Sequence, residues 1–233
     1  TYGQSRQQQQ RVEISKPRLV VVIAIDQFRQ EYLFRFNRFF GQGGFRRLLD
    51  RGAVFTNCCH LHVPTLTAPG HSTILSGTTP SNNGIVGNGW YDRETGEVVT
   101  SVSDKSHKLL GAESGQAASP HRLIGTTLGD ELRLSNNFRS KVVGISLKDR
   151  AAILPAGKHP NLALWFDSSS GSFVTSTYYV EKLPDWVAKF NASRPADKYF
   201  GARWEKSFPA EAYSVAAADD RPYETTPVGG TRT

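Results

Sequence analysis

The run "RLVVVIAID", residues 18–26, sets an unbroken series of apolar side chains in front of a single carboxylate. It is too short for a buried helix and lacks the alternation of a strand with one wet face. It therefore predicts a central strand of a parallel sheet, covered on both sides, with Asp26 at its carboxyl end. A second run, "KVVGISLKDRAAILPAG" at 141–157, repeats the pattern and ends in Lys148, Asp149 and Arg150. Between the two, "EYLFRF" and "GGFRRLLDRGAVF" carry helical periodicity punctuated by glycine. Strands alternating with such segments predict an α/β fold, an open and mostly parallel sheet flanked by helices.

The remaining segments fit that order. "GTTLGDELRLS" predicts a helix with Leu128, Leu132 and Leu134 as its inner stripe. "NLALWFDSSSGSFVTSTYY" predicts two strands around a Ser/Gly turn. "LPDWVAKFNA" predicts an amphipathic helix with Leu183, Trp186, Val187 and Phe190 on one side. Residues 1–17 are polar and predict a loose tail, as expected either of a mature chain whose leader has been removed or of a trimmed one. After Arg194 the chain turns Pro-, Ala- and charge-rich, and "DDRPYETTPVGGTRT" offers no closing element.

Composition excludes more than it assigns. A chain of 233 residues with thirteen Phe, eight Tyr and four Trp has the bulk for a core and is too aromatic for a disordered segment. Its 28 basic against 21 acidic side chains give a net charge of +7, but the charge is scattered. The densest cluster, "FRRLLDRG", has the spacing of an ordinary helix face, which argues against a nucleic-acid partner. No stretch approaches the roughly 20 apolar residues of a membrane span. Cys58 and Cys59 are adjacent, too close for an easy disulfide and without zinc-ligand spacing, and are expected as small buried hydrophobes.

Polar groups without an obvious structural task gather at the predicted strand ends. In "LTAPGHSTILSG", residues 66–77, Thr67 stands at the start of a helix. It is either a cap or a nucleophile presented where N–H groups and the helix dipole favour a phosphate. Asp26 is either a cap or a hard oxygen ligand for a divalent metal, at the strand edge where α/β sheets bind ligands. Lys148 and Arg150 are either a solvated pair or two cations that clamp phosphoryl oxygens, and alternate positions after a buried strand would point them the same way. Asn88, in the Gly/Asn-rich loop of 72–92, either holds a turn or binds. His71 reads as a packing or hydrogen-bonding residue rather than a ligand. Converging on one edge, these groups describe phosphoryl transfer.

Three stretches, "VVVIAIDQFR", "VPTLTAPGHSTILSGTTPSNNGIVGNGWYD" and "SLKDRAAILPAG", together resemble the threonine-nucleophile alkaline phosphatases. These belong to the nucleotide pyrophosphatase/phosphodiesterase branch of the alkaline phosphatase superfamily. The resemblance runs from about residue 18 to the end and implies an alkaline-phosphatase-like core, incomplete in this chain. It implies Thr67 as nucleophile and, with Asp26, as ligand of one of two zinc ions. It implies Asn88, Lys148 and Arg150 as holders of the phosphoryl group. The lysine and arginine favour phosphate monoesters over diesters, and the resemblance further implies a periplasmic or secreted location. Members of the family are much longer chains, whose remaining metal ligands lie in a second half. The six histidines here show no such spacing with Asp, so residues 18–233 are expected to be the N-terminal portion of a catalytic domain, with the C-terminal portion as partner.

Overall fold

The structure, a computed structural model, describes residues 17–203 and 205–216. It divides into two compact units, one ending at Thr56 and the other beginning at Asn57. Apart from Pro17, the expected N-terminal tail lies outside the described residues, as does the segment 217–233.

In the first unit, Leu19–Ile25 is not the central strand its composition predicts. Its side chains are exposed, from 50% at Ile25 to 78% at Leu19. Val and Ile supply strand propensity, but a strand is made by a neighbouring strand that takes up its N–H and C=O groups, and no strand among the described residues pairs with it. The chain then turns, with the Phe28 N–H donating to Ile25 O at 3.3 Å and Gln27 at φ 61°, which places Asp26 inside the turn. Helices α1 (Glu31–Arg35) and α2 (Gly44–Arg51) follow, as their periodicity predicts, yet neither buries a residue. Ring contacts tie this unit together: Phe28 stacks on Phe45 at 5.0 Å and meets the edge of Tyr32 at 5.6 Å.

The second unit carries the core. It contains α3 (Thr67–Ser76), α4 (Pro80–Asn83), the hairpin β1 (Gly89–Asp92) and β2 (Glu97–Thr100), β3 (Leu109–Leu110) and α5 (Leu128–Leu134). Then come β4 (Val143–Ser146), α6 (Asp149–Ala156), β5 (Leu162–Asp167), β6 (Ser172–Ser176) and α7 (Asp185–Ala192). The sheet order is β3-β6-β5-β4. β4 and β5 run parallel with Val143 opposite Leu162, joined by α6 as crossover helix, and the other pairs are antiparallel. The α/β architecture is thus as expected, with a mixed sheet among the described strands. Helix α6 packs on β4, β5 and α3. The main core joins Ala68 of α3, Ile85, Val102, Leu123, Ala152 to Leu154 of α6, Ala163 and Val174.

Several sequence expectations are corrected here. Among the described strands β4 lies at the sheet edge rather than buried, with Val143 and Ile145 exposed. In α5 the Leu stripe points outward, and the residue turned inward is Asp130, fully buried. The cause is polar: Asp130 closes a capping box with Thr127 and also accepts from the N–H groups of Lys158 (3.0 Å) and His159 (2.7 Å). Those bonds have no substitute in a dry interior, whereas the leucines lose only contact area. In α7, Val187 is buried and Leu183 packs beside it, but Trp186 and Phe190 stay exposed. Cys58 and Cys59 are free and exposed, in an irregular segment that no core element covers.

Two glycines fix how α6 is seated. A Cβ on Gly144 of β4 would lie 2.1 Å from the carbonyl oxygen of Ala152, so strand and helix touch backbone to backbone. Gly157, at φ 88°, ends α6 where a Cβ would lie 2.2 Å from Asp130 Oδ2.

Candidate active site

Thr67 is the first residue of α3, half-buried, and follows Leu66, which occupies the cap position in an extended conformation. The reading of Thr67 as the cap is therefore off by one residue: its backbone is already helical, because the extended-to-helical switch falls at Leu66. The first turn has few donors to offer. Pro69 lacks an N–H, and the Gly70 N–H goes to Leu66 O at 2.9 Å. The Ala68 N–H goes to the side-chain oxygen of Asn88 at 2.8 Å.

That bond is the central geometric fact of the site. Residues 67 and 88 lie far apart in sequence, yet the side chain of Asn88 reaches the peptide next to Thr67. With Oδ1 occupied by an N–H, the amide is oriented with its NH₂ as the free donor end. The backbone of Asn88 is fixed as well, since its carbonyl accepts from the Ser101 N–H at 3.0 Å, continuing the β1–β2 ladder by one pair. Asn88 therefore does more than hold a turn: it bridges the hairpin and α3. His71 is buried and donates from Nδ1 to Thr67 O at 2.8 Å, which fixes its tautomer and ties it to the same turn as a hydrogen-bonding residue.

Lys148 and Arg150 sit at the start of α6, as the cap residue and the second helical residue. They do not continue the β4 alternation, because β4 ends at Ser146 and the helix begins at Asp149. Lys148 is exposed, while Arg150 is half-buried, with its Nη1 3.5 Å from Asp149 Oδ1. The Nε of Arg150 is buried without a hydrogen-bond partner among the described residues. A buried, unsatisfied guanidinium N–H costs stability unless a ligand meets it. Cations at a helix N-terminus also oppose the helix dipole, by about 0.3–1 kcal/mol each. Both observations fit a place where an anion binds. α3 and α6 pack against each other, and Ala68 and Ala152, from near the start of each, share one buried cluster.

Asp26 belongs to the first unit and lies in the turn after Ile25. The carboxylate of Asp26 and the hydroxyl of Thr67 are hard oxygen donors, the type a divalent cation takes. Among the described residues, no three His, Cys, Asp or Glu side chains are grouped to hold a metal ion. Sequence reasoning missed a further polar cluster at Asp104, in which Asp104 accepts from Ser106, His107 and Ser119. The visible signal was "SDKSH", an Asp with a Ser two residues on, which is the mark of a side chain that caps its own turn.

Known proteins resemble this chain in sequence and fold. Alkaline phosphatase PhoV of Synechococcus elongatus is 48% identical over 214 residues, 91% of this chain and 39% of PhoV. Alkaline phosphatase PafA of Elizabethkingia meningoseptica is 43% identical over 213 residues, again 91% of this chain and 39% of the relative. The crystal structure of wild-type PafA is similar with a TM-score of 0.81 and 45% identity, over 85% of this chain and 39% of that one. A PafA variant substituted at one threonine, one asparagine, one lysine and one arginine is similar to the same degree, with a TM-score of 0.81 and 42% identity over 86% of this chain and 39% of that one. The chain thus spans about two-fifths of the length of these relatives, and the portion it spans has their fold. The model of the type I phosphodiesterase / nucleotide pyrophosphatase family matches residues 20–226, and the chain belongs to that family.

Proposed function

We propose that the protein to which this chain belongs hydrolyses phosphate monoesters, with Thr67 as nucleophile and a phosphothreonine intermediate. The observation that carries the reading is the 2.8 Å bond from the Ala68 N–H to Asn88 Oδ1, which brings a donor amide to the peptide beside a hydroxyl at a helix start. The alkaline phosphatase names of PhoV and PafA support it, as does the residue set altered in the PafA variant, which is the set Thr67, Asn88, Lys148 and Arg150 offers here.

In the first step Thr67 Oγ attacks phosphorus in line. The Thr67 hydroxyl gives up its proton to solvent, a P–O bond to Thr67 forms, the ester P–O bond breaks, and the alcohol leaves with a proton from solvent. Asn88 donates from its NH₂ to one non-bridging oxygen. Arg150 offers Nε and the neighbouring guanidinium N–H to a second oxygen, and Lys148 adds a second positive charge. Water then opens the phosphothreonine, releasing inorganic phosphate and restoring the hydroxyl. Zinc ions, one of them held by Asp26 and Thr67 with further donors from the C-terminal portion, would supply the charge that acidifies the hydroxyl and stabilises the leaving oxygen. Two cations beside the phosphoryl site match the dianion of a monoester better than the monoanion of a diester. That separates this reading from the diesterase activity in the family's name.

The test compares rates on an aryl phosphate and its methyl ester for the full-length protein and its Thr67→Ala form. The reading expects the monoester to be preferred and the variant to lose nearly all turnover. A variant that turns over at close to the parent rate, or a preference for the methyl ester, would sink it.

A further inference from the structure

Three residues past Ser101, whose N–H holds Asn88 O, the chain buries a carboxylate. Asp104 is 7% exposed, and its carboxylate is met by donors on both oxygens. Oδ1 accepts from the N–H of Ser106 at 2.9 Å and from the Ser106 hydroxyl. Oδ2 accepts from His107 Nδ1 at 2.9 Å and from the Ser119 hydroxyl. Because Ser119 gives its proton to Asp104, its oxygen is left as an acceptor, and it takes the N–H of His121 at 3.3 Å and His121 Nδ1 at 3.1 Å. His121 Nδ1 is also 3.6 Å from Asp104 Oδ2. One buried anion thereby organises two hydroxyls and two imidazoles.

Backbone bonds link the cluster to Asn88 on one side and to the sheet on the other. The Asp104 N–H donates to Ala117 O at 3.0 Å, and the Ser119 N–H donates to Val102 O at 2.9 Å. The Ser176 hydroxyl on β6 donates to Ala118 O at 2.8 Å. Segment 117–119 is thus anchored to β6, and segment 101–104 is anchored to 117–119. The last link is the Ser101 N–H to Asn88 O.

We infer that Asp104 is a positioning residue for Asn88: it locks segment 101–104 so that the Asn88 amide, set from its other end by the Ala68 N–H, faces the phosphoryl group. The inference rests on the proposed role of Asn88 in binding that group. A carboxylate is required because four donors converge on two oxygens. An amide at this position would turn an NH₂ toward two of them and loosen the segment. Asp104 has no contact with the reacting atoms in this account and acts only through Asn88.

The experiment is a double-mutant cycle in the full-length protein, reading kcat/KM for an aryl phosphate with Asp104→Asn, Asn88→Ala and the two combined. Asp104→Asn should slow the parent about tenfold, and should slow the Asn88→Ala form less than about twofold, since the group it positions is gone. Ser119→Ala, which removes one donor and leaves the charge, should show the same pattern with a smaller loss. It carries the test where Asp104→Asn does not fold. Equal loss in both backgrounds, or no loss in the parent, overturns the positioning role. The phosphatase reading fails differently, by Thr67→Ala and Asn88→Ala leaving the rate unchanged.

Discussion

The two helices that carry the candidate site begin in opposite ways. α3 opens on an uncharged threonine, and the next N–H is already committed to Asn88. α6 opens on a lysine and an arginine set against the positive end of its own dipole. Each helix is tied to a different buried carboxylate, at its start in α3 and at its far end in α6. Asp104 is held largely by side chains and reaches α3 through Ser101 and Asn88. Asp130 is held largely by backbone N–H groups, that of Thr127 and, just past the far end of α6, those of Lys158 and His159. The contrast separates two tasks. The α3 start is a wired donor network in which displacement of one atom changes geometry, whereas the α6 start is a concentration of charge on a helix that is simply held still.

Substitutions at the two helix starts test whether they do different work. Thr67→Ala should lower kcat by about a thousandfold or more in the full-length protein, while Thr67→Ser keeps much of the activity. Steady-state rates on an aryl phosphate decide it. Arg150→Ala should cost about a hundredfold in kcat/KM, in the range of a lost transition-state donor, and Lys148→Ala only about tenfold, because Lys148 is exposed and screened. Raising ionic strength should narrow the parent's advantage over the Lys148 variant more than over the Arg150 variant, and equal salt effects would erase the distinction drawn between the two cations.

Smaller effects fall on stability. Gly157→Ala should destabilise by roughly 2–4 kcal/mol, since it combines a φ of 88° with a Cβ driven onto Asp130, and a thermal or urea melt reads it directly. Burial works to raise the pKa of Asp104, but donors from Ser106, Ser119 and His107 outweigh it and hold the carboxyl well below the usual carboxylate range. A folded pKa below the unfolded one gives stability that is present above about pH 4 and is lost as pH falls through the folded value. The parent should therefore exceed Asp104→Asn in stability near neutrality, and the gap should close as the solution becomes strongly acidic. A gap that stays constant down to pH 2 would mean that the carboxylate's charge is not what the cluster uses.

Local pattern was enough to read the helices α1 and α2, the β5–β6 pair and the helical start at Thr67, because each announces itself within a dozen residues. What escaped depends on partners remote in sequence. Leu19–Ile25 has the composition of a central strand but no ladder among the described residues. The leucines of α5 gave way to Asp130 because Lys158 and His159 bring donors that no window around residue 130 contains. Among the candidate site residues, Asn88 is tied to the Ala68 N–H beside Thr67 by a bond that spacing could not reveal, and Lys148 and Arg150 share a helix start rather than a strand. The Asp104 cluster escaped because its members are Ser, His and Asp side chains that look solvated one by one.

The contact at Gly144 bears on how such a site could be redesigned. With the carbonyl of Ala152 lying where a methyl group would need to go, α6 is seated directly on the backbone of β4. Libraries that exchange the side chains at 148 and 150 leave that seat untouched, whereas libraries that vary residue 144 should return mostly misassembled protein.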